Sequence, residues 1–476
     1  MKRRIRFENK IDITLFFFSL GLILFTMKNP FYWDNIAQTS VPANWYYETN
    51  FKFFYLPDDI ATGHPTFVGM YFALLWKIFG RSLAVCHFGM LPFVFGVLVQ
   101  IRYFLRKINI TDKLSISLIM VFVIVDTTFI SQLSLITFDI IQLFFFFLCL
   151  NLLLTNKHKT FTLSYLILIL ISLRASIMAG GILIFNILYD YFSLNKKIRV
   201  RDYVKYIPGI LSLFLFLLLF KINKGWVIHN TVSNEWPGSG QFASFYRMIW
   251  NTFILIWRLI DFGRIGIFII FLFFLVKSIS IRKFQDDTLK ILFLIIISQF
   301  ILFFPVLVTS QIPFGHKYFL PIIVPAIILT IYWIINYTKF SRLWLTCSFI
   351  LLCSGHFWLY PMGVSQGWDA TTIHWNYLKV SEEMHSYIEE NGFNKNEIGT
   401  FFPNKDSRYL THIENNKNDI YGGVPLQSKY VLYSNSFNVA PEVLNTLFSD
   451  NSNWKLIKKF TRNRIFIGLY IKEKDN

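Results

Sequence analysis

Long apolar runs separated by short, mostly basic polar stretches fill the first three quarters of the chain. Eleven of these runs read as membrane-crossing helices: 11–27, 83–104, 114–130, 138–154, 161–173, 177–192, 206–220, 265–276, 291–308, 319–335 and 343–359. Several fall short of the roughly 20 residues that span a bilayer upright, so tilting or partial insertion is expected there. Two further apolar segments carry interfacial residues. Segment 66–79 holds Trp76 and Lys77, and segment 242–260 holds Arg247, Trp250, Trp257 and Arg258. Both are expected to lie along the outer interface, within outer regions spanning 28–82 and 223–264. Counting 66–79 as a span would carry Arg102, Arg106 and Lys107 to the outer side, against the positive-inside rule.

After Pro361 the long apolar runs stop. Val380, Met384 and Ile388, four residues apart, predict a helix over 377–391. Segments 399–402, 430–433, 454–460 and 464–471 read as strands, the last two joined as a hairpin by a turn near Arg462-Asn463. The expected architecture is a polytopic α-helical membrane protein of about eleven transmembrane helices over 1–360. A small extracytoplasmic α/β domain over 361–476 completes it.

Composition agrees. With 54% hydrophobic residues and 54 Phe in 476, the chain is too apolar for a soluble globular protein. The net charge of +18 suggests nucleic acid until its position is considered. Residues 361–476 hold 13 Lys+Arg and 13 Asp+Glu, so all the excess lies in 1–360, concentrated in short loops where cytoplasmic topology requires it. Lys2, Arg3, Arg4, Arg6 and Lys10 keep the N-terminus cytoplasmic. No small-residue cleavage site follows the first apolar run, which is therefore expected to be a retained helix. An odd number of spans puts the C-terminal domain outside. The expected location is a bacterial plasma (inner) membrane. Cys86, Cys149, Cys347 and Cys353 all lie in apolar segments and imply no disulfide framework.

The first outer loop is acidic and aromatic: Phe31-Tyr32-Trp33-Asp34-Asn35, closing with Pro57-Asp58-Asp59 and Gly63-His64-Pro65. Asp34 sits just outside the bilayer, where a carboxylate can take a proton from an attacking hydroxyl. Asp58, Asp59, His64 and Asp139 can supply either a divalent-metal shell or substrate hydrogen bonds. Arg174, between two spans, is costly there unless it snorkels or meets an anion. His229 and Glu235, in a Trp-rich outer segment, can hydrogen-bond sugar or acceptor hydroxyls, although an interfacial Trp belt explains the tryptophans equally well.

Taken in order, Asp34, Gly63-His64-Pro65, Thr137-Phe138-Asp139, Arg174 and Gly315-His316-Lys317-Tyr318 resemble the GT-C superfamily of membrane glycosyltransferases. The likeness is nearest to protein O-mannosyltransferases and lipid A aminoarabinose transferases, and covers roughly 1–340. It implies that Asp34 acts as general base or contacts the acceptor. It also implies that Arg174, His316 and Lys317 hold the phosphate of a polyprenyl-phosphate sugar donor. Where the family shows His-Pro-Pro with an acid close before it, Asp59 here lies five residues before His64 and Thr66 replaces the second proline. The family more often has Arg where Lys317 stands. The expected activity is transfer of the sugar to an extracytoplasmic lipid, glycan or protein, with inversion. The alternative is a transporter or flippase of a lipid-linked saccharide, for which the repeats and interrupted midplane helices typical of transporters are not found.

Overall fold

The computed structural model describes residues 10–227, 241–281, 286–312, 314–450 and 452–473. Its helical part contains α1 (Lys10–Thr26), α2 (Val41–Glu48), α3 (Phe67–Phe79), α4 (Leu83–Lys107), α5 (Lys113–Val125), α6 (Thr127–Leu133), α7 (Phe138–Leu154) and α8 (His158–Ile171). It continues through α9 (Leu173–Phe192), α10 (Ile207–Lys224), α11 (Phe245–Ile260), α12 (Ile265–Ile281), α13 (Asp287–Thr309), α14 (Leu320–Tyr337) and α15 (Ser341–Gly355). Beyond them α16 (His374–Glu390) packs on a sheet of β1 (Ile398–Thr400), β2 (Tyr430–Ser434), β3 (Trp454–Arg462) and β4 (Ile465–Lys472). The strand order is β1-β2-β4-β3, with β1 and β2 parallel and the other pairs antiparallel.

All eleven apolar runs are helical, but they are not eleven equal spans. Among the described residues, five helices are long and apolar enough to cross a membrane, and two bent pairs raise the number to seven. With 17, 14 and 15 residues, α7, α8 and α15 are shorter than the roughly 20 that an upright crossing needs.

The run 114–130, expected as one span, breaks at Asp126, where α6 leaves α5 at 78°. Asp126 ends one helix and caps the next, accepting the Phe129 amide at 3.0 Å. Its carboxylate also meets Arg264, with Nε at 2.5 Å and Nη2 at 2.9 Å, both side chains essentially sealed from solvent. A second break, at Asp261, turns α11 by 104° from the start of α12, so two interrupted helix pairs are present where the sequence led to none being expected. Gly263 there has φ 80°, and a Cβ would overlap the Leu351 carbonyl oxygen, so only glycine fits. The turn sets α11 across its neighbour. Phe245, Ile249, Trp250, Phe253 and Trp257 lie exposed on one side, while Asn251, Leu255 and Leu259 are buried, so the helix is strongly two-faced.

Packing between helices follows the same spacing rule. Met90, Val94, Val97, Leu98 and Ile101 line the buried stripe of α4, three or four residues apart, and this helix packs against α7. In the C-terminal part, α16 buries Val380, Met384 and Ile388, the face that its periodicity predicts, and adds Tyr377. The β3–β4 turn falls one residue later than expected. Asn463 and Arg464 both have positive φ, 47° and 67°, as a two-residue turn matching strand twist requires.

Replacing Asp126 with Ala strands the Arg264 guanidinium in a sealed site. Thermal or denaturant unfolding of the purified protein is expected to show a loss of about 3–5 kcal/mol. An unchanged midpoint would show that the pair does not hold the break.

Candidate functional site

Three distant parts of the chain bring carboxylates to the amino group of Lys317. This residue lies in a short 3₁₀ turn, His316–Phe319, between α13 and α14. Its Nζ is 2.7 Å from Asp369 Oδ2, 3.1 Å from Asp34 Oδ2 and 3.8 Å from Asp139 Oδ2. The Lys317 side chain is 2% exposed, and those of Asp139 and Asp369 are 4% exposed. Asp34, at 18%, is the most open carboxylate and so the one a substrate can reach.

Local structure explains each position. Asp34 follows α1 in a loop where Trp33 has φ 57°, and its carbonyl accepts the Gln38 amide as a one-turn π-helix begins. Asp139 is the second residue of α7, where Thr137 caps the helix by accepting the Asp139 amide and donates its hydroxyl to Asp139 Oδ2, 3.1 Å in each case. Arg174 is the second residue of α9, capped by Ser172. Its Nη1 lies 3.5 Å from Asp139 Oδ1, its Nη2 donates to Gln38 Oε1 at 2.9 Å, and its guanidinium carbon sits 3.9 Å from the Tyr318 ring centre. Tyr318 in turn donates its hydroxyl to Asp34 Oδ2 at 3.1 Å.

Asp369 comes from a 3₁₀ turn, Trp368–Ala370, beyond the helical part. Its carbonyl accepts from Ser131 Oγ at 2.6 Å and Gln132 Nε2 at 2.8 Å, which fixes it against α6. No sequence signal marked it. It is one acid among 13 in a polar region, and only docking onto α6 brings it to Lys317.

The three carboxylates face two cations, Lys317 and Arg174. Burial raises the Asp34 carboxyl, but Lys317 and Arg174 outweigh it and hold it below the ordinary value. Burial, with Asp34 and Asp139 as like charges, pushes Asp369 up despite its bond to Lys317. His64 completes the edge: its Nδ1 accepts the Leu173 amide at 3.3 Å, so a neutral ring carries its proton on Nε2. Burial, and then Arg174, depress its pKa to about 3. Gly63, with φ 78°, sets this position, and a Cβ there would press on the Trp226 ring and the Val227 carbonyl.

Other expected residues lie elsewhere. Asp58 pairs with Lys224 at 3.1 Å and Asp59 faces solvent, so neither is an ion-pair partner of Lys317 or Arg174. His316, expected to act beside Lys317, does not join its cluster. Its Nε2 lies 2.9 Å from Asp261 Oδ2, an oxygen that also accepts the Tyr360 hydroxyl. Adjacent side chains in a 3₁₀ turn point about 120° apart, which sends His316 and Lys317 to different partners. His229 and Glu235 lie outside the described residues.

A divalent ion does not fit the expected set. Asp58 and Asp59 are apart from Asp139, and the Lys317 ammonium fills the space among the three carboxylates. Among the described residues the group with metal-ligand spacing is His385, Glu389 and Asp419. Lys395 already binds Glu389 there at 2.9 Å, and Asp419 as well.

Because the folded-state pKa of Asp34 is depressed, its ionised form stabilises the fold above the ordinary carboxylate value. That contribution is lost as pH falls through the folded value. Thermal unfolding followed from neutral pH downward is expected to show a smaller acid-side loss in Asp34→Asn than in the parent. Identical pH profiles would sever Asp34 from Lys317.

Comparison with protein-family models, curated proteins and solved structures gives no match for this chain.

Proposed function

We propose that the protein is an integral-membrane glycosyltransferase of the GT-C type, moving a sugar from a polyprenyl-phosphate donor to an extracytoplasmic acceptor. The reading rests on one observation. Asp34, Asp139, Arg174 and Lys317, which the resemblance names and which are spread over nearly 300 residues, lie in one buried cluster with Asp34 as its open edge. Basic loops and apolar helices favour a multi-pass arrangement with the N-terminus cytoplasmic and residues 361–476 outside.

The chemistry follows from the placement. An acceptor hydroxyl attacks the anomeric carbon as the bond from that carbon to the phosphate oxygen breaks. The electron pair leaves with the polyprenyl phosphate, and the hydroxyl proton passes to Asp34. Attack opposite the leaving group inverts the anomeric centre. Lys317 and Arg174 stabilise the charge gathering on the departing phosphate, where fixed cations in a site shielded from water act most strongly. The incoming phosphate competes with carboxylates already there. Asp369, whose carboxyl burial pushes up whereas that of Asp34 is held down, yields Lys317 to the donor more readily than Asp34 does. A shallow groove, about 270 Å³ of empty space including open solvent, is lined by Phe54, Leu56, Phe216 and Phe220 and ends at His64, an apolar approach of the kind a polyprenyl tail would follow. The outer surface of α10 continues the apolar path with Ile210, Phe214 and Leu218 exposed.

Purified protein given a polyprenyl-phosphate sugar is expected to transfer it. Asp34→Asn should lower the rate about 10²- to 10⁴-fold with an unchanged fold, while Asp58→Asn leaves the rate unaltered. Transfer at the parental rate by Asp34→Asn would refute the assignment. Movement of the sugar between leaflets without a change of covalent partner would establish a flippase instead.

A further inference from the structure

We propose that the cleft between the Asp34 loop and the C-terminal domain is a binding subsite for an uncharged saccharide, the acceptor ring of the transfer reaction. The inference rests on the transferase reading and names its acceptor class. The cleft has about 580 Å³ of empty volume including its open mouth, and its enclosed floor holds about three waters, so it takes one ring at its mouth rather than a buried oligosaccharide.

Its walls come from both sides of the seam. Phe31 and Tyr32 contribute from the outer loop, two or three residues before Asp34, and the Phe31 amide donates to the Thr411 carbonyl at 2.9 Å. Tyr377, Ser381 and His385 lie along α16, and Asn404 and Tyr421 follow from the chain between β1 and β2. Two polar atoms in this wall are buried without a hydrogen-bond partner: the hydroxyl of Tyr32, a residue 2% exposed, and Nδ2 of Asn404. Buried donors are rarely left unmade without a reason, and a ligand bearing hydroxyls supplies partners to both.

Charge decides the class of ligand. Arg408 is occupied by Glu382, through Nη1 at 2.8 Å and Nη2 at 3.1 Å, and by Glu414 at 2.8 Å from Nε. Lys395 is occupied by Glu389 and Asp419. Of the carboxylates and permanent cations that line the cleft, Asp406 and Asp419 stand against Arg408 alone, a balance of 1 − 2 = −1, and Arg408 is already engaged, which disfavours a phosphate or carboxylate ligand. The histidines add no cation at ordinary pH: burial and then Arg408 depress His412 to about 3, and the same two causes lower His385. What remains is the half-buried Tyr421 ring, over a floor edged by the buried Phe31 and Tyr377, beside hydroxyl, amide and imidazole groups. That combination matches the apolar C–H face and hydroxyl rim of a neutral sugar.

Hydrogen-exchange mass spectrometry on the full-length protein tests the subsite, with methyl mannoside, methyl glucoside, N-acetylglucosamine, glucuronate and glucose 6-phosphate as probes. At least one neutral sugar is expected to slow exchange in 377–385 and 403–421, and the two acidic sugars are not. Asn404→Ala, and separately Ser381→Ala, should remove the protection while retaining the parental melting temperature. Absence of protection by every neutral sugar, or equal protection by the acidic ones, overturns the proposal. In the transfer assay Asn404→Ala is expected to raise the acceptor KM about three- to tenfold, with kcat and donor KM unchanged. Unaltered acceptor KM in an active enzyme defeats the subsite alone. Sugar protection in a protein that transfers nothing defeats the transferase reading and leaves the subsite standing.

Discussion

An ammonium group buried among three carboxylates joins the two halves of this chain. Taking Lys317 out of water is affordable only because Asp34, Asp139 and Asp369 surround it, and each carboxylate would be equally costly without the cation. The three acids come from a loop, a helix start and the segment that opens the C-terminal domain, so the ionic contact is also a tertiary clamp. Arg81 reinforces it at the edge of the seam. Its guanidinium donates to the carbonyls of Tyr409, Ile413 and Glu414 and lies 3.9 Å from the Tyr409 ring centre. The segment from Asp34 to Arg81 is therefore tied to the C-terminal domain at both ends.

Polar groups elsewhere in the helical part collect at helix breaks. Asp126 and Arg264 meet where α5 gives way to α6, and Asp261, His316 and Tyr360 meet where α11 turns into α12. A break frees backbone amides and carbonyls that an apolar surrounding cannot satisfy, so capping side chains and their counter-ions gather there. The Lys317 cluster obeys the same rule at the starts of α7 and α9. It differs in having one carboxylate that remains open, and that opening separates a candidate site from a structural ion pair.

Arg174 stood out from the chain alone because a charge between two spans is expensive, whereas Lys317 was named by the family resemblance and Asp139 by its place opening a helix. Asp34 was legible from its place just beyond the first helix. Asp58 and Asp59 looked equally acidic on paper, yet one is spent on Lys224 and the other faces water. His316 was misread because its neighbour is Lys317, whereas a 3₁₀ turn points adjacent side chains apart. Asp369 carried no signal, being an ordinary acid in a region rich in acids.

Periodicity is a local property, so the sequence by itself determined where most of the helices and strands lie, which face of α16 is buried and, to within a residue, where the last hairpin turns. Hydropathy likewise marked every apolar run. Whether a run continues straight depends on partners far along the chain: Arg264 bends the segment at Asp126, and Leu351 leaves room only for glycine at 263. Only the tertiary structure decided those bends, the choice of His316 for Asp261 and the arrival of Asp369 at Lys317. The reason is that a buried charge selects its counter-charge by distance in space, and no local pattern encodes that distance.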